Sequence, residues 1–166
     1  MAFELSLFNV ALTERQAAGE VLKCNELTAR FGLELTEKQA LALVATRSFA
    51  LKKNGRIEFG GGIIDKMIRE FCDSPYLSAH DYEETLHDLL ETFYLYKNET
   101  LDLISDDDLI RYMKNAFDAI CQGSVELLSE RELYRLARNL RRGYDYDYSY
   151  ADEGFAEDEE NEYEGY

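Results

Sequence analysis

Glu84 and His87 stand three residues apart in a stretch that also holds His80 and Glu91. A carboxylate followed by a histidine at i, i+3 is the spacing with which helical bundles hold carboxylate-bridged di-metal centres. Both histidines of the chain fall in this stretch. At about 100° per residue these four side chains occupy a sector of about 60°, with Tyr82, Leu86, Leu89, Phe93 and Tyr96 centred roughly opposite. The ligand types are therefore expected on the solvent side, and there is no third histidine to complete a second, inward motif. The expectation is a solvated helix face, with a surface metal site on His80, Glu84 and His87 as the weaker alternative, no catalytic residue and no bound cofactor.

Phe59-Gly60-Gly61-Gly62-Ile63 is the second chemical candidate, because glycines ahead of a helix let backbone N–H groups approach a phosphate. Neither the Gly-Lys-Ser/Thr of a phosphate loop nor a GxGxxG in a βαβ frame accompanies it, so a turn needing positive φ is the stronger reading. Cys72 and Cys121 fall on apolar helical stripes, where a small buried thiol is the ordinary outcome. Cys24, Cys72 and Cys121 are few, far apart and odd in number, which argues against a disulfide framework or a zinc knuckle and favours a reducing cytosol.

The sharpest binding candidate is an arginine stripe. Arg131, Arg135, Arg138 and Arg142 recur at i, i+4, i+7, i+11, which puts four guanidinium groups on one helix face. Immediately after Gly143 the composition inverts: Tyr144 to Tyr166 holds ten carboxylates, six tyrosines and no basic residue. Carboxylates and aromatic rings both suit arginine. One expectation is that the tail folds over the stripe and competes with an external anionic partner; the plainer one is a solvated face complementing the helix C-terminus beside a solubilising appendage.

The elements that must carry these groups read as mainly helical. Proline occurs once, at Pro75, and apolar residues recur at three- and four-residue intervals. Helices are expected near 13–31, with a break at Asn25, then 36–53, 63–73, 78–97, 106–121 and 129–142. Their starts are marked by Thr13, Thr36, Ser78, Ser105 and Ser129 as caps. The segment 36–53 is apolar nearly all round, through Leu41, Leu43, Val44, Phe49 and Leu51, and is expected at the centre. A two-stranded ribbon pairing Phe3–Val10 with Arg56-Ile57-Glu58-Phe59 is a further expectation. The domain organisation is one compact helical domain of about six helices over 1–143, and a disordered acidic tail over 144–166.

The formal charge of −16 is uneven: residues 1–143 carry 24 acidic and 18 basic side chains, and the tail carries the rest. An acidic surface repels phosphate backbones, so nucleic acid is the second choice of partner and another protein the first. The first cation is Arg15, so the sequence opens without a basic n-region, and no apolar run reaches the roughly 18 residues of a membrane span.

At Gly55-Arg56-Ile57-Glu58-Phe59-Gly60, Ser74-Pro75-Tyr76-Leu77, Phe93-Tyr94-x-Tyr96-Lys97-Asn98-Glu99 and Ser105-Asp106-Asp107-Asp108-Leu109-Ile110, the chain resembles a family of bacterial proteins of unknown function. The resemblance runs over about residues 5–140. It implies a bacterial cytosolic protein and brings no activity, cofactor or catalytic residue. The reading is of a non-catalytic interaction or regulatory domain. Nucleic-acid binding gated by the tail comes second, and an enzyme whose site is assembled from distant residues third.

Overall fold

The computed structural model describes residues 2–145, with side chains from Thr13 onward. The chain runs through α1 (Ala2–Lys23), α2 (Asn25–Thr28, continued by a 3-10 turn Ala29–Phe31), α3 (Glu37–Asn54), α4 (Gly62–Phe71), α5 (Tyr82–Glu99) and α6 (Asp106–Asp118). It closes with α7 (Val125–Leu127), a π turn (Leu128–Glu132) and α8 (Leu133–Arg141). The fold is mainly α. The expected ribbon does not form: residues 3–10 are helical within α1, Arg56 to Phe59 is a loop, and no strand occurs among the described residues.

Local chemistry explains the boundaries. Thr36 caps α3 with a reciprocal box, its hydroxyl accepting from Gln39 N at 3.1 Å while Gln39 Oε1 accepts from Thr36 N at 2.8 Å. Ser105 caps α6 by accepting from Asp108 N at 3.2 Å, ahead of three aspartates that suit a helix N-terminus. Other expected starts shift. Thr13 lies inside α1, Ser78 donates to Asp81 Oδ1 at 2.7 Å instead of capping, and Ser124, not Ser129, opens the last helical run.

The hub is α5, not the expected α3. Half of the 18 residues of α5 are buried, among them Leu86, Leu89, Leu90, Phe93, Tyr94 and Tyr96, and it packs against α3, α4, α6, α7 and α8. On α3, by contrast, Leu43, Val44 and Leu51 are buried but Phe49 is 73% exposed. The apolar residues of α3 include a side chain directed into a groove, which spacing alone reads as core. The apolar stripes of α4 (Ile64, Met67, Ile68, Phe71) and α6 (Leu109, Ile110, Met113, Phe117) are buried and face each other, with Phe71 and Phe117 meeting edge to face at 5.4 Å. Lys114 latches the same pair, bonding Asp118 of α6 at 2.5 Å and Asp73 beyond α4 at 3.0 Å.

Candidate interaction surface

The histidine constellation does not assemble. His80 precedes α5 and is exposed, as are Glu84 and Glu91 on the helix. His87, expected on the same solvent face, is half-buried instead: Nδ1 lies 2.8 Å from Thr46 Oγ1 on α3 and Nε2 lies 3.2 Å from Glu83 Oε2. A hydroxyl, imidazole and carboxylate in series could relay a proton. Thr46 sits in mid-helix, however, where neighbouring N–H groups are committed to the helix and cannot stabilise an oxyanion. Among the described residues no three His, Cys, Asp or Glu side chains converge as a metal set.

The glycine run is a turn already filled by the chain's own carboxylates. Gly61 N donates to Glu20 Oε2 at 2.6 Å, and Ile63 N donates to Glu58 Oε1 at 3.2 Å. Gly60 (φ +61) and Gly62 (φ +48) adopt the left-handed region, and a Cβ at Gly60 would sit 2.0 Å from Glu20 Oε2. The anion positions a phosphate would need are thus held from within.

The three cysteines are buried and unbridged. Burial and the nearby Asp65 push the Cys24 thiol up to about 12, and burial beside Glu132 does the same to Cys121. Neither supplies a thiolate near neutrality.

The arginine stripe is not one open face. Arg135 is 7% exposed, and Arg131 lies in the π turn bonded to Glu132 Oε2 at 2.9 Å. Arg138 stacks over the Tyr134 ring at 5.9 Å, and Arg142 is exposed after α8. The π turn alters the spacing that aligned the four in sequence. Residues 146–166 lie outside the described residues, and with them the docking and disorder expected of the tail.

What the structure does assemble is an ionic cluster, buried at Arg47, Glu58 and Lys97 and open to solvent at Asp102, that the sequence reading missed. Glu58, in the loop between α3 and α4, accepts from Tyr94 Oη at 2.7 Å and faces Arg47 at 3.9 Å and Arg56 at 3.8 Å. Arg47, 4% exposed, donates to Gly60 O at 2.6 Å. Arg56 reaches Asp106 at 3.2 Å and Asp102 at 3.8 Å, and Lys97, 5% exposed, bonds Asp102 at 2.7 Å, Asp106 at 3.0 Å and Ile104 O at 2.6 Å. Burial, with Glu58 alongside, raises the Tyr94 hydroxyl above the usual phenol range, while the Lys97 hydrogen bond holds Asp102 below the usual carboxylate range. A signal did exist in the sequence: Arg47 and Lys97 stand at core positions of apolar stripes, where a charge requires partners.

The cluster ties two loops together with their apolar side chains outward. Arg56 and Glu58 point in, while Ile57 and Phe59 are 81% and 83% exposed. In the α5–α6 loop, Asp102 pairs with the cluster from the solvent side, itself 70% exposed, and Leu101 and Leu103 on either side are 65% and 55% exposed. Leu101 and Asp102 both take positive φ, of 55° and 60°, a conformation that costs free energy in non-glycine residues and that the Lys97 bonds hold in place.

A groove of about 930 Å³ lies beside these loops, between α3, α5 and the start of the α7 run. Tyr94 belongs to both regions, lining the groove and bonding Glu58.

No helix of the described residues is long and apolar enough to cross a membrane. A family model described as a family of unknown function (DUF6323) matches residues 20–146, a span that contains the ionic cluster, both loops and the groove. No curated protein and no solved structure matches the chain.

Proposed function

For a chain that belongs to the DUF6323 family of unknown function, we propose a non-catalytic role in binding another protein, through the face formed by Ile57, Phe59, Leu101 and Leu103. The observation that carries it lies in the α3–α4 loop, where Glu58 is held inside while Ile57 and Phe59 stand outside, and where the Arg56–Asp102 pair braces this loop against the one that exposes Leu101 and Leu103. Leaving Ile57 and Phe59 in water forgoes roughly 1.5–3 kcal/mol each, and burying Arg47, Glu58 and Lys97 costs desolvation besides. The first of these is recovered when a partner covers the face. Contiguous exposed apolar patches of a few hundred Å² mark such contacts.

A reducing cytosol fits three buried, unbridged thiols, and the sequence resemblance fits a bacterial source. Nucleic acid is the weaker partner class, since the chain carries −16 and the stripe is partly buried.

The test is a photo-crosslinking residue placed at 57 or 59 in the full chain, with position 38, also exposed, as control. Discrete protein adducts are expected at 57 and 59, diminished by Leu101→Ser with Leu103→Ser. An adduct pattern equal to that of position 38 would refute the reading.

A further inference from the structure

We propose that the groove between α3 and α5 is a second and separate site, which receives a basic amphipathic helix of about three turns from another protein. Its walls set the length. On α3 the lining recurs at 45/46, 49/50 and 53/54, and on α5 at 88, 91/92, 94/95 and 98. At 1.5 Å per residue these rows run about 13–15 Å, the rise of a helix of about ten residues. Phe49, 73% exposed, and Leu95, 46% exposed, stand on the two walls, with Ala45, Ala50 and Val125 completing an apolar lining. An open trough of this length with apolar sides suits the i, i+3/4, i+7 side chains of a docked helix.

Charge fixes the chemistry of that helix. Asp88, Glu91, Glu126 and Glu130 line the groove against Lys53 as the cation. All four carboxylates are exposed, and none forms an ion pair among the described residues. A ligand with lysine or arginine flanking its apolar stripe complements this rim and is steered to it, whereas an acidic or neutral helix is not. A second copy of this chain is a poor occupant. Its basic helix, α8, has Leu133, Leu136, Ala137 and Leu140 buried in its own core, so that apolar stripe is not available to dock.

The probe is a designed, fluorescein-labelled helical peptide of about 12 residues with leucines at i, i+3, i+7 and lysines flanking them. Its binding to the full chain is followed by fluorescence polarisation, beside a scrambled peptide of the same composition. The acidic tail attracts both peptides equally, so the difference between them reports the groove. The helical peptide is expected to bind at least tenfold more tightly than the scramble. Leu95→Glu, and separately Glu91→Lys with Glu126→Lys, should each abolish that difference, with circular dichroism confirming that the variants are folded. Equal binding of the two peptides, or a preference unchanged by these substitutions, would overturn the proposal. Ile57→Ser with Phe59→Ser should leave the preference intact, so the groove and the loop face can fail independently.

Discussion

Replacing Glu58 by alanine removes the carboxylate around which the inverted loop is built. Tyr94 Oη loses its acceptor at 2.7 Å, Ile63 N loses one at 3.2 Å, and Arg47 and Arg56 lose a counter-charge within 3.9 Å. Deleting one partner of a buried pair costs about 3–5 kcal/mol. Arg47 retains Gly60 O at 2.6 Å and Arg56 retains Asp106 at 3.2 Å, so the lower end, about 3 kcal/mol, applies. For a folded unit of this size 1 kcal/mol moves the thermal midpoint by roughly 2–4 °C, giving a fall of about 6–12 °C. Phe59→Ser, three residues before the start of α4, should change stability by less than about 0.5 kcal/mol, because a side chain 83% exposed has little packing to lose. Glu58→Gln should fall between the two, since an amide oxygen still accepts from Tyr94. The assay is thermal unfolding followed by circular dichroism at pH 7. A Glu58→Ala melt coincident with wild type would show that the carboxylate does not hold the loop. A Phe59→Ser loss matching that of Glu58→Ala would show that Phe59 is packed and that the loop has no outward apolar face.

Cys24 and Cys121 keep their protons in the fold up to about 12, against 9.0 in the unfolded chain, so the thiol contribution is complete below pH 9 and is lost as pH rises from 9 towards 12. The urea midpoint should drop more steeply across that window for wild type than for Cys24→Ala with Cys121→Ala, and equal slopes would contradict the burial. Arg135→Gln should destabilise by about 1–3 kcal/mol, because a buried guanidinium and its stem lose their contacts, whereas exposed Arg142→Gln should stay within about 0.5 kcal/mol. Equal melting of these two variants would return the stripe to a uniform surface face.

The helices that carry the loops and the groove were legible where apolar spacing and a capping side chain agreed, as for α3 after Thr36 and α6 after Ser105. They were misread where a signal had two physical solutions. Thr13-Glu14-Arg15-Gln16 has the types of a capping box, yet each is tolerated inside a helix, and α1 runs straight through it. The apolar run Phe3–Val10 alternates well enough for a strand and also fits a helix, since short apolar runs do not discriminate by period. The ionic cluster was half-visible, because Arg47 and Lys97 break apolar stripes. Their partners Glu58, Asp102 and Asp106 lie on other elements and are brought to them by packing around α5. The groove was not visible at all. Its rim carboxylates come from two helical runs, and in an acidic chain no spacing singles them out.

The buried charges and the two surfaces follow from a single packing fact, the central place of α5. Its residues Tyr94 and Lys97 lie one turn apart on the same side of the helix, at the end where the α3–α4 and α5–α6 loops meet. Filling that corner with apolar side chains from Ile57 and Leu101 would bury the loops in the ordinary way. Arg56 and Glu58 fill it instead, with Asp102 closing the cluster from the solvent side, and the period-two alternation of the loop then drives Ile57 and Phe59 outward. An apolar corner would stabilise the isolated chain at least as well, since buried ion pairs rarely outperform a hydrophobic filling. What the ionic filling adds is a fixed outward direction for Ile57 and Phe59, the feature on which the proposed partner contact rests.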